Sequence, residues 1–222
     1  MKKNKIAIST LCGIILLLAG ILITAFPYFH NLYYQRIQAR QVEETLEQLQ
    51  RQDVQEKEES ETTSPQVEYF TSEKPPPKEE NDTDEREGNY AYKLEETEGV
   101  LEIPALNLQF KVGYGVELPE LESGPGFYPH SNLPEHGNVS VAGHRTTYGA
   151  PFGELNKLEE EDNIKLYFED NVYIYKVDDV FATDKYDWSV IEDTSDPALT
   201  LTTCEPPGSS EKRLIVRAYL ED

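Results

Sequence analysis

The chain opens on an uninterrupted apolar run that has no counterpart further along. Ile6 to Phe26 reads IAISTLCGIILLLAGILITAF, without a single charge. A helix rises about 1.5 Å per residue, so a run of this length matches the ~30 Å hydrocarbon layer of a bilayer. Lys2, Lys3 and Lys5 precede it. Basic residues collect on the cytoplasmic side, so the pattern predicts an N-terminus kept inside and a remainder that is exported. A cleaved signal peptide is the alternative, but its apolar core usually spans about 7–15 residues ahead of a small-x-small site. Ala25-Phe26-Pro27 is a poor site of that kind. Residues 1–5 therefore read as a cytoplasmic tail and 6–28 as an uncleaved signal anchor, with Cys12 in lipid.

The pattern then changes twice. Over residues 29–60, Leu32, Ile37, Val42, Leu46 and Leu49 recur among Gln, Glu and Arg. The spacing is helical but too irregular for a coiled coil, and it predicts a solvated helix leaving the membrane. Residues 61–90 combine many charges, Pro75-Pro76-Pro77 and few aliphatics. Such a segment buries too little apolar surface to offset its ordering entropy, so it reads as a disordered acidic linker.

From 91 to 222 short β-type runs alternate with turn residues. They are VLEIP at 100–104, LQFKV at 108–112, NVSVAGH at 138–144, IKLYF at 164–168, VYIYKVDDVFAT at 172–183, ALTLTTC at 198–204 and RLIVRAYL at 213–220. Seven or eight strands at this spacing predict an all-β domain, barrel or sandwich. Brief helices fit at 117–121, 151–158 and 187–192. No internal repeat, phosphate loop or dinucleotide fingerprint is present.

Strand side chains alternate between faces, and here the alternation separates chemistry from core. Leu199 and Leu201 share one face, whereas Thr200, Thr202 and Cys204 share the other. Val139 and Val141 oppose Ser140, Ala142 and His144. Leu214, Val216 and Ala218 oppose Arg213 and Arg217. Cys204 and His144 end their runs and Arg213 begins one, where a rigid sheet can hold a side chain and still expose it. Eight residues with Pro206-Pro207-Gly208 separate Cys204 from Arg213. A hairpin of that shape sets Arg213 beside Cys204, and Arg217 about 13 Å further along at ~3.3 Å per residue.

Charge removes one class of function. The 222 residues carry 20 Lys and Arg against 42 Asp and Glu, a net charge of -22. Residues 1–40 hold five basic residues and no acid, whereas 41–90 and 91–222 are both strongly acidic. A nucleic-acid partner would need a basic footprint, so none is expected. With Cys12 and Cys204 the only cysteines, neither a disulfide scaffold nor a cysteine zinc site is available. The acidic run Glu159–Asp162 reads as a solvated turn rather than a calcium site, and no cofactor is implied.

An exported, unpaired cysteine is unusual where the compartment is oxidising. Two readings stand: a buried inert thiol, or a nucleophile whose thiolate is favoured by a neighbouring cation. In the second, a histidine exchanges protons with the leaving group and an arginine binds a carbonyl or oxyanion. Together they describe acyl transfer through a thioester. Of the other histidines, His30 falls among membrane-boundary aromatics, and His130 and His136 in a polar loop.

Three segments in order resemble the sortases, the transpeptidases of Gram-positive cell surfaces. Thr200-Leu201-Thr202-Thr203-Cys204 resembles the TLxTC signature, Ala142-Gly143-His144-Arg145 the histidine segment, and Lys212-Arg213-Leu214-Ile215-Val216 the arginine strand. The resemblance covers about residues 98–220. It implies an eight-stranded sortase β-barrel and attack by Cys204 on the Thr–Gly bond of an LPxTG- or LAxTG-type signal at the C-terminus of a surface protein. It implies resolution of the thioester by an amine, usually of a peptidoglycan precursor. His144 would be the general acid and base and Arg213 the oxyanion partner. Thr202, Thr203 and Arg145 would contact substrate. The helical insertion of class B is absent, as is the lid motif of pilin polymerases. Gly143 to Phe152 is most similar to classes D and E, closer to E, which makes Ala at the second signal position plausible. The rivals are a pilus-polymerising sortase with a pilin lysine as acceptor, and a non-catalytic anchored barrel that only binds.

Overall fold

The computed structural model describes residues 2–62, 94, 97–129 and 131–221. The expected linker beyond residue 62 and His130 therefore lie outside the described residues. A long helix, α1 (Lys2–Thr62), precedes eight strands. These are β1 (Gly99–Ile103), β2 (Leu108–Tyr114), β3 (Gly126–Phe127), β4 (Asn138–Ala142), β5 (Asn163–Phe168), β6 (Asn171–Asp184), β7 (Ala198–Glu205) and β8 (Lys212–Leu220). A short helix, α2 (Leu118–Ser123), links β2 to β3, and 3-10 turns cover Leu155–Lys157 and Trp188–Ile191.

The strands close a barrel in the order β1-β2-β3-β4-β7-β8-β6-β5, with β5 pairing back to β1. Closure decides between barrel and sandwich. It depends on the 14-residue β6, whose first half pairs with β5 and whose second half pairs with β8. A register shift between Val177 and Asp179 bends the strand between these two partners, the usual effect of an extra unpaired residue. Pairs β2–β3 and β4–β7 are parallel and the rest antiparallel. Inside sit Leu101, Ile103, Val139, Val141, Leu199, Leu201 and Val216, all fully buried.

Seven strands lie where the alternating runs placed them. The eighth, β3, was not foreseen, because two residues cannot display a period. Its Gly126 is set by close approach: a Cβ there would lie 1.9 Å from the Gly115 carbonyl oxygen.

Helix α1 is continuous through Pro27. Its segment Gly13–Gln48 is long and apolar enough to cross a membrane, and none of its apolar window is buried in the protein. A core helix would be covered, so this apolar window is consistent with membrane anchoring. Further along, the expectation of a solvated helix is corrected. Gln38, Val42 and Thr45 are buried, and α1 lies against β1 and β2. Residues 38, 42 and 45 follow the i, i+4, i+7 spacing of one helix face. The polar members hid that face from a purely hydrophobic reading.

Candidate active site

Sheet register builds the site. Strand β7 runs parallel to β4, with Thr200 opposite Ser140 and Thr202 opposite Ala142. Two residues on, the same alignment carries Cys204 and His144 to the same level, although β4 has ended. Two bonds extend the alignment: Gly143 N–H donates to the Thr202 carbonyl at 3.1 Å, and Thr203 Oγ1 donates to the Gly143 carbonyl at 2.7 Å. On the other side β8 is antiparallel, and Arg213 is the direct partner of Cys204. Cys204 therefore sits with the histidine segment on one side and the arginine strand on the other, each about one strand spacing away (~4.8 Å). Gly143 is required here, since a Cβ would meet the Phe152 ring at 2.6 Å.

Cys204, His144 and Arg213 line one cavity of about 370 Å³, together with Thr202, Thr203 and Tyr128. Val116, Leu121, Ile191 and Ile215 supply apolar wall, and Trp188 lies at the exposed side. Asp187 holds that side in place: its carboxylate accepts from Thr183 Oγ1 and from the Ser189 hydroxyl and N–H. Those bonds hold the Asp187 carboxyl below its usual range, because donors favour the charged form.

His144 is half-buried, and its Nε2 is enclosed without a hydrogen-bond partner among the described residues. Burial pushes its pKa below the ordinary value of 6.5, and the nearby Glu122 carboxylate partly opposes that shift. The imidazole is therefore neutral near pH 7 and able to accept a proton. Arg213 folds its guanidinium toward its own hairpin, with Nη1 donating to the carbonyls of Lys212 and Ser210 at 3.1 and 3.4 Å. Cys204 is partly exposed and unpaired. A thiol, a neutral imidazole and a permanent cation sharing one apolar-walled cleft can carry out nucleophilic acyl transfer.

The remaining expected residues divide. Thr202 Oγ1 lies 3.0 Å from the Tyr128 hydroxyl in the cleft. Thr203 has the parity of Leu201, and its hydroxyl is committed to Gly143. Arg145 departs from the expectation of a substrate contact. It is 5% exposed, donates to Asn156 Oδ1 at 2.8 Å and pairs with Glu205 at 3.5 Å. Facing away from the cleft, it braces the strand end beyond Cys204. Arg217 is likewise occupied, with Nη2 donating to the Val190 carbonyl at 2.8 Å. Sequence reasoning missed Tyr128 and Glu122. One acid among 42 carries no signal until the fold sets it beside a histidine.

Residues 101–221 match the sortase domain family. The chain belongs to the sortase family. Among relatives, sortase D of Bacillus subtilis is 32% identical over 61% of this chain and 71% of its own. Sortase A of Listeria monocytogenes is 27% identical over 94% of this chain and 90% of its own. The solved structure of sortase E1 from Streptomyces coelicolor, with a tripeptide in the active site, superposes with a TM-score of 0.54 at 28% identity. It covers 57% of this chain and 89% of that one. This sortase is accordingly a cysteine transpeptidase with the eight-stranded barrel of its family, and its apolar helix is consistent with membrane anchoring.

Proposed function

We propose that this sortase cleaves the Thr–Gly bond of an LPxTG- or LAxTG-type signal and transfers the new C-terminus of a surface protein to an amine of a peptidoglycan precursor. The observation that carries this reading is the register of β4, β7 and β8, which brings His144, Cys204 and Arg213 to one cleft. Cys204 Sγ attacks the Thr carbonyl while His144 takes the thiol proton. Arg213 neutralises the oxyanion. Collapse of the tetrahedral intermediate breaks the C–N bond, and His144 returns its proton to the departing Gly amine. An incoming amine then attacks the thioester, gives a proton to His144, and restores the Cys204 thiol. The apolar walls suit the signal's leading Leu, and Thr202 and Tyr128 offer hydroxyls to its backbone.

Lys2, Lys3 and Lys5 and the apolar run support a single-pass orientation with the N-terminus cytoplasmic and the barrel outside. Sorting-signal recognition is supported by a similar protein: sortase C of Clostridium perfringens was solved with the C-terminal cell wall sorting motif, at 25% identity and a TM-score of 0.53. Mass spectrometry of products from LPxTG and LAxTG peptides, offered glycine-type amines, meso-diaminopimelate-type amines or a pilin lysine peptide, tests the proposal. The expected product joins the Thr carbonyl to a cell-wall amine. Exclusive use of the pilin lysine would make this a pilus polymerase, and no acyl product with any amine would end the transpeptidase reading of the site.

A further inference from the structure

The loop that follows His144 is held by the membrane helix. Asn31, Gln35 and Gln38 lie at i, i+4 and i+7 on α1 and share one helix face. Asn31 Nδ2 donates to the Thr146 carbonyl at 3.2 Å, Gln35 Nε2 to the Gly149 carbonyl at 3.2 Å, and Gln38 Nε2 to the Tyr148 carbonyl at 3.1 Å. Gly149 N–H returns a bond to Asn31 Oδ1 at 3.4 Å. The gripped turn needs holding. Tyr148, Gly149 and Ala150 all have positive φ, at 50°, 84° and 53°, a conformation that non-glycine residues keep only where their surroundings impose it.

The consequence falls on His144. The Tyr148 ring packs against the imidazole, tilted by 37° with centroids 4.9 Å apart, and also meets Tyr34 of α1 edge-on at 5.3 Å. His30 joins the same cluster, 4.9 Å from Tyr34 and 6.0 Å from Tyr148. The Tyr148 hydroxyl donates to Glu122 Oε1 at 2.8 Å, which fixes the ring from a third direction. Tyr148 itself does not line the cleft.

We propose that the juxtamembrane part of α1 is a positioning element of the active site: Asn31, Gln35 and Gln38 clamp the 146–149 turn so that Tyr148 fixes the His144 imidazole for proton transfer. The proposal rests on His144 as the acid–base group of the reading above. It also sets the height of the reaction. Asn31 to Gln38 lie only about 8–18 Å beyond Phe26 at ~1.5 Å per residue, so the cleft is held near the lipid headgroups rather than lifted away on a stalk.

The test uses the full chain in lipid nanodiscs, comparing wild type, N31A/Q35A/Q38A, Tyr148→Ala, Tyr148→Phe and the combined clamp and Tyr148→Ala chain. Two readouts are taken: peptide transfer kinetics, and the ring-proton resonance of His144, assigned with His144→Gln. The clamp and Tyr148→Ala variants are expected to lower kcat between about tenfold and about 100-fold with KM unchanged, as a misplaced catalytic group does. In both, the ring-current shift of the His144 proton is expected to be lost. Tyr148→Phe keeps the ring and restores most of kcat, and the combined chain is no worse than Tyr148→Ala alone. A His144 resonance that stays in place in the clamp variant overturns the proposal, and so do clamp and Tyr148→Ala effects that simply multiply. A wild-type chain that forms no acyl product overturns the reading of the site instead, while the resonance still decides whether the helix positions His144.

Discussion

Along β7, Leu199 and Leu201 point into the barrel and are wholly buried, while Thr200, Thr202 and Cys204 point outward from the same strand. The outward face changes character along its length. At its start Thr200 donates to Asn138, whose amide binds the carbonyls of Val190 and Glu192. The Trp188–Ile191 turn is thereby pinned over the sheet. At its end that cover stops and Cys204 opens into the cleft. The inner face supplies rigidity and the outer face supplies reactivity, so damage to one should be separable from damage to the other.

The strongest break comes at the nucleophile. Cys204→Ala is expected to lower acyl transfer by about 10⁴-fold or more, as loss of a covalent nucleophile does, while the thermal melting midpoint stays close to that of wild type. Peptide cleavage at the wild-type rate would remove Cys204 from the chemistry. The opposite outcome belongs to the inner face. Leu201→Ala should cost about 2–5 kcal/mol in denaturant unfolding, the range for emptying a packed Leu site. The folded fraction should still form a thioester.

Arg213 and Arg217 share a face of β8 and sharpen the contrast. Arg213→Ala should lower kcat about 10²–10³-fold, the scale of one lost oxyanion donor. Arg217→Ala should act mainly on stability, through its bond to Val190. A larger kcat loss for Arg217→Ala would assign the oxyanion role to the wrong arginine. The smallest effect is electrostatic. Glu122 favours the imidazolium form of His144, so Glu122→Gln should lower the His144 pKa further. The base form then persists to lower pH, and the acid limb of the kcat/KM profile should move down. A shift upward would mean that another group sets that limb.

Much of the site was legible because it lies in local pattern. Alternation set the parity of Cys204, His144 and Arg213, and the hairpin length set Arg213 rather than Arg217 beside the thiol. Arg145 misled because motif adjacency to His144 says nothing about direction: its side chain turns inward to Asn156 and Glu205. The α1 contact was hidden for a related reason. Its grip on the 146–149 turn runs through Asn31, Gln35 and Gln38, whose bonds to backbone carbonyls leave no hydrophobic period to read.

Residue order alone thus determined the apolar N-terminal run, seven strands, and which side chains share a face, because these depend on composition and on alternation over short spans. Closure into a barrel, the two-residue β3, the setting of Glu122 beside His144 and the seating of α1 on the 146–149 turn were decided only in three dimensions. Each joins residues far apart along the chain, through strand pairing in the first two cases and through polar or ring contacts in the others, and such long-range contacts leave no periodic trace in the sequence.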